Sequence, residues 1–98
     1  MIKLLTLKLG MNIISDVEQQ DSKVIIKKPA VVMSQQQSGQ IAIGFSPFLE
    51  MSEEFETGIT IDMTEVLTIT TPKLELINQY NRYFGSGIQI ATAESLLK

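Results

Sequence analysis

Cysteine and histidine are both missing from this 98-residue chain. Without cysteine there is no disulfide and no thiolate chemistry. Without histidine the commonest general base and the commonest metal ligand are gone. Charge is scarce too: 19% of residues are charged, against roughly 25% in ordinary soluble domains. The net charge of −3 argues against broad electrostatic binding of nucleic acid, though not against a local basic patch. No apolar run approaches the roughly 18 residues a membrane span needs. The N-terminal run Met1–Leu9 is short and broken by Lys3 and Lys8, which does not fit a signal peptide. A cytoplasmic protein with no membrane partner and no cofactor is therefore expected.

What is present is apolar. At 44% hydrophobic residues, with few charges to cover them, some apolar surface is expected to end up in a subunit interface. The length allows one domain and one core.

The stretch Gly10 to Asp21 is the organising segment. A turn glycine opens it, and Met11, Ile13, Ser15 and Val17 then share one face of a strand. Asn12, Asp16 and Glu18 share the other, with Ile14 as the exception. Strand-like runs flank it, so it reads as the middle strand of an antiparallel meander. Its register then decides which faces of its neighbours are buried.

In chain order, Ile2–Lys8 reads as the first strand and Met11–Gln19 as the second. Lys23–Ser34 is the third, bent where Lys27, Lys28 and Pro29 interrupt its β-branched residues. Ser34–Gln40 reads as a polar loop. Ile41–Leu49 is the fourth strand, bent or at an edge because of Pro47. Glu50–Gly58 is an acidic connection in which Met51 and Phe55, four apart, suit a short helical turn. Ile59–Thr71 is the fifth strand, with a bulge at Thr64–Glu65. Pro72–Phe84 is the one helix, with Thr71 as N-cap and Pro72 at the first helical position. Gly85 closes it as a left-handed cap. In the tail 86–98, Ile88–Ala91 suits either a further strand or packing on a neighbouring subunit. The expected class is mainly β: a small, strongly bent five-stranded antiparallel barrel (1–71), one C-terminal helix (72–85) covering its open end, and a tail.

Candidate chemistry is thin. Glu50, Glu53, Glu54 and Glu56 lack the alternate ligand spacing and central glycine of a calcium loop and read as a solvated acidic loop. Lys23, Lys27 and Lys28 are the candidate RNA or phosphate contacts. In a regular strand Lys27 and Lys28 face opposite ways, and charges beside a β-bend also discourage edge pairing. Tyr80, Tyr83 and Phe84 suit base stacking, but at helical spacing they fit better as the seam between helix and sheet. Arg82 reads as a surface or interface ion-pair partner. Asp16 and Glu18 would do acid–base work only in a pocket that separates their pKa values. No catalytic residue and no metal ligand is assigned.

The meander with a bent third strand and one helix resembles the Sm-like (LSm) family. The first motif of that family runs glycine, two free positions, an apolar residue, a small residue two on, an apolar residue two further, and aspartate four later. Gly10, Ile13, Ser15, Val17 and Asp21 match it in register. The segment Glu75–Gly85 also resembles small proteins of tailed phages, including those of marine cyanobacteria. The resemblance covers roughly residues 2–71. It departs where the family has a base-holding asparagine, since Val24 and Ile25 stand there. It departs again at Thr64–Ile69, which lack the family's Arg-Gly pair. The helix also follows the sheet instead of preceding it. The resemblance implies a non-enzymatic, homo-oligomeric ring of about five to seven subunits, joined fourth strand to fifth, encoded by a phage and acting in the host cytoplasm. It implies single-stranded RNA as a ligand, through a surface other than the usual one. The alternative is a structural or assembly adaptor that binds a phage or host protein by its helix face or acidic loop.

Overall fold

The computed structural model describes residues 1–84. The tail from residue 86, with its run Ile88–Ala91, and the expected cap at Gly85 lie outside the described residues. The fold is mainly β, an antiparallel sheet followed by one helix. The strands are β1 (Ile2–Leu7), β2 (Asn12–Gln20), β3 (Lys23–Gln37), β4 (Gln40–Pro47), β5 (Ile59–Asp62) and β6 (Val66–Thr70), and the helix is α1 (Leu74–Phe84).

The organising segment behaves as its pattern predicts. β2 pairs β1 on one side and β3 on the other. Ile13, Ser15 and Val17 are buried while Asn12 and Asp16 are exposed. Ile14, the exception to the alternation, is fully buried as well. It points to the second face of the sheet, where α1 lies. Both faces of β2 are therefore covered, which a helix packed across one face makes possible.

Two apolar clusters result. Leu5, Val17, Val24 and Ile26 form the first, joined by Ile59, Ile61, Met63, Val66 and Ile69. Ile14, Ala30 and Tyr80 form the second, joined by Ile2, Leu4, Val32, Phe45, Leu76 and Phe84. Strand alternation puts neighbours such as Leu4 and Leu5 into different clusters. The helix thus packs on a face of the sheet and does not plug the end of a cylinder. The helix starts at Leu74, two residues after the expected Pro72, which is itself buried.

Four expectations are corrected. The expected fifth strand is two strands, β5 and β6, split by a 3-10 turn at Met63–Glu65. Asp62 caps that turn by accepting from the Thr64 N–H, so the anticipated bulge is a full break. The sheet is also not closed: its order is β4-β3-β2-β1-β6, with β5 on β3. The two halves of β3 carry different partners on the same edge, β5 at Lys23–Ile26 and β4 at Ala30–Gln37. Ser34–Gln37, read as loop, continues β3. The turn beyond it needs only Ser38 and Gly39, both in the left-handed region (φ 51° and 79°), and a two-residue turn of that kind matches the twist of a hairpin. Polarity there marks an exposed ribbon and not an irregular loop.

The bend in β3 is built from the predicted residues. The register slips between Ile14 and Asp16, so Ser15 faces an extra residue on β3. Lys28 adopts φ 49°, a conformation costing roughly 1 kcal/mol or more for a residue with a Cβ. Every carbonyl freed by the kink finds a donor. The Ser15 hydroxyl donates to Lys27 O at 2.8 Å, and the Tyr80 hydroxyl donates to Lys28 O at 2.7 Å and to Lys27 O at 3.3 Å. The Phe48 N–H donates to Pro29 O at 2.8 Å. Burial pushes the Tyr80 hydroxyl well above the ordinary tyrosine pKa, so it stays a donor at any working pH.

The acidic connection folds back through a 3-10 turn, Glu53–Phe55, that buries Phe55. Gly58 then leads into β5 at φ 136°, backbone that only glycine adopts readily. A Cβ placed there would sit 2.6 Å from Ile25 Cγ2. Gly58→Ala is expected to cost about 2–4 kcal/mol through strain and overlap together. Urea denaturation followed by circular dichroism checks this, with a change below about 1 kcal/mol counting against the packing described.

Candidate functional site

The lysines proposed from sequence do not form one basic patch. Lys23 pairs with Asp62 across the β3–β5 ladder, Nζ to Oδ2 at 3.3 Å. The Thr64 backbone N–H, the Thr64 hydroxyl and Lys23 hold the Asp62 carboxyl below its usual pKa. Lys27 and Lys28 both border one cleft of about 270 Å³, shared with Asp16, Glu56, Tyr80 and Phe84, where their backbone carbonyls accept from the Tyr80 hydroxyl. Two carboxylate residues therefore share the cleft with the two lysines. Asp16 also accepts from the Met1 ammonium at 2.6 Å. This mixed charge gives little net field for a polyanion.

The remaining candidates fall to packing or solvent. Tyr80 is 4% exposed and stacks edge-on against Phe84 and Phe45, with ring centroids 4.9 Å and 6.4 Å apart. Tyr83 touches the same two rings. These aromatics are the seam between helix and sheet. Glu18, Arg82, Glu50, Glu53 and Glu54 are exposed. Among the described residues, no group of three acidic side chains is placed to hold a metal ion.

The conspicuous features of the surface are the two ends of the sheet. Among the described residues, β4 and β6 each have one paired edge, to β3 and β1 respectively. Neither strand contains a charged residue, and none occurs anywhere between Lys28 and Glu50. Edge strands of stable monomers are commonly blunted with charge. Ile41 on β4 is 72% exposed and Leu67 on β6 is 60% exposed. The two-residue turn makes Gln37 and Gln40 a hydrogen-bonded pair, so the ladder directs the backbone groups of Ile41, Ile43 and Phe45 outward. One of these is already taken: Gln79 Nε2 donates to Ile43 O at 3.0 Å. Pro47 lies at the next outward position, where its missing N–H costs no ladder bond. On β6 the same alternation turns Ile69 outward. At the bulge beside it, between Thr6 and Leu7 of the partner strand, Leu67 has no opposite residue.

An apolar groove of about 420 Å³ adjoins the β4 end. Leu4, Ile43, Pro72 and Leu76 line it under the first turns of α1, together with Thr71, Lys73, Glu75 and Gln79.

The composition signalled surplus apolar surface, and the fourth strand was legible as an element that could sit at an edge. The absence of charge along both edges is readable from the chain once the pairing order is known. Among the described residues, no helix is long and apolar enough to cross a membrane. The chain matches no protein-family model and no curated protein.

Proposed function

We propose that this protein is a non-enzymatic assembly module whose copies join β4 of one chain to β6 of the next. The observation that carries the reading is the pair of uncharged edges. Both are uncharged, both present an exposed branched apolar side chain, and both turn backbone donors and acceptors outward. Two different edges make a head-to-tail contact, which closes into a ring or runs on as a filament. A ring of about five to seven copies is the form the sequence resemblance implies.

RNA at Lys23, Lys27 and Lys28 is the weaker reading, because Asp62, Asp16 and Glu56 stand among those lysines. The adaptor reading rests on the groove beside α1, which is apolar enough to take a protein segment.

Size-exclusion chromatography with light scattering at micromolar concentration tests assembly. A single discrete oligomer is expected, and a monomer would overturn the reading. Short A-rich and U-rich RNAs, titrated at low and high salt, should show no salt-dependent binding. A steep loss of binding with salt would restore the RNA reading.

A further inference from the structure

The β3–β4 hairpin outruns the rest of the sheet. The β2 ladder reaches β3 no further than Val31, opposite Ile13, and β5 covers only Lys23–Ile26. From Val32 onward, among the described residues, β3 pairs β4 alone, through to Gln37 opposite Gln40. Contacts with the helix hold the base of this ribbon. The Phe45 ring lies 5.6 Å from that of Tyr83 and 6.4 Å from that of Tyr80, and Gln79 bonds Ile43 O. Beyond Ile43 the ribbon is exposed along Met33–Gln36 and Ser38–Ala42.

A two-stranded ribbon is marginal in water without a third strand or a packed face. This one has apolar side chains to bury on both sides. Register puts Ile41 on the side of Val32 and Phe45, and Met33 on the side of Gly44. A partner that satisfies it must supply a strand edge with no charge of its own and an apolar side chain.

We infer that the distal ribbon, Met33–Gln37 with Gln40–Ala42, is a clasp that becomes stably ordered only when the β6 edge of a second copy lies along β4. This rests on the self-assembly reading above and says which part of the chain folds on assembly. The partner edge has the required character: Val66–Thr70 is uncharged, Leu67 is exposed at its bulge, and Ile69 turns its backbone groups outward. The base of the ribbon and the two clusters on either face of the sheet are formed within one chain. Monomers would therefore keep their core and lose only the ribbon's protection.

Hydrogen exchange read by mass spectrometry on the full chain tests this. Wild-type protein above its assembly concentration is compared with Leu67→Lys, which alters the neighbour-facing edge and leaves the ribbon's sequence intact. In the variant, peptides covering 33–42 should exchange at least about 100-fold faster than in the assembled protein. Peptides covering 13–26 should be equally protected in both, which shows that the variant is folded. A monomeric variant whose ribbon stays as protected as in the assembly would overturn the inference and leave the assembly reading standing. A wild-type protein that never assembles would remove the reading itself. A second measurement guards against an unfolded variant: diluting wild-type protein through its dissociation must deprotect the same peptides.

Discussion

Replacing Ile14 by alanine should cost about 2–5 kcal/mol, the range for truncating a fully buried aliphatic side chain. Ile14 is completely enclosed. It meets Ala30 and Tyr80, with Leu76 and Phe84 of the helix closing around the same cluster. Truncation leaves a cavity between sheet and helix that Tyr80 fills poorly, because its hydroxyl is tied to Lys27 O and Lys28 O. Val17→Ala should cost less, because Val17 lies in the other cluster and is not fully enclosed. The two variants should also differ in kind. Loss at Ile14 should loosen α1, seen as weakened near-ultraviolet dichroism from Tyr80 and Tyr83, while loss at Val17 should leave that signal intact. A cost below about 1 kcal/mol at Ile14 would mean that the helix does not depend on this face.

The second large effect concerns partner choice. Ile41→Lys and Leu67→Glu should each be monomeric alone, because each leaves one charge facing an apolar edge. Mixed in equal amounts they should assemble in alternation, as chains or as rings with an even number of copies. One type of contact in the mixture sets the introduced ammonium at position 41 of the first variant against the introduced carboxylate at position 67 of the second. The other type of contact is wild-type at both positions. Opposite charges on facing strands attract, by roughly 0.2–1 kcal/mol per pair, and the larger gain is removal of the unpaired charge. Light scattering of each variant and of the mixture distinguishes the outcomes. Two single variants with wild-type mass would rule the edges out. A mixture that stays monomeric would place positions 41 and 67 at different contacts, as in pairing of β4 with β4. Both residues are largely exposed in one chain, so neither substitution should disturb the fold.

Several elements were legible because their cause is local. Alternation from Met11 to Val17 specifies a strand with one buried face. The stripe Leu74, Ile77, Asn81 and Phe84, widened by Leu76, Tyr80 and Tyr83, specifies a helix with an apolar face, although Leu74 is exposed and that face lies on the sheet, not over a barrel end. Pro29 specifies an interruption in β3, since it cannot donate to a ladder. The misfit of Ile14 was also local. Nothing in strand periodicity says that a second layer exists on the outer face, and that layer comes from α1, at the far end of the described chain. The lysines show the same limit. Nothing local says that β3 kinks with Lys28 in the left-handed region, or that Tyr80 and Ser15 donate to the carbonyls of Lys27 and Lys28 at the cleft both residues border.

The chain alone thus determined the mainly β class, the central place of the second strand, the single helix and the excess of uncovered apolar surface. Each follows from periodicity, a turn residue or composition. The tertiary structure decided that the sheet stays open, that β4 and β6 each keep one edge unpaired among the described residues, and that the polar stretch after Met33 is a projecting ribbon. These depend on which strand stops pairing where, and pairing joins residues distant along the chain. That long-range register turns two ordinary neutral segments into exposed edges with, among the described residues, no strand beside them.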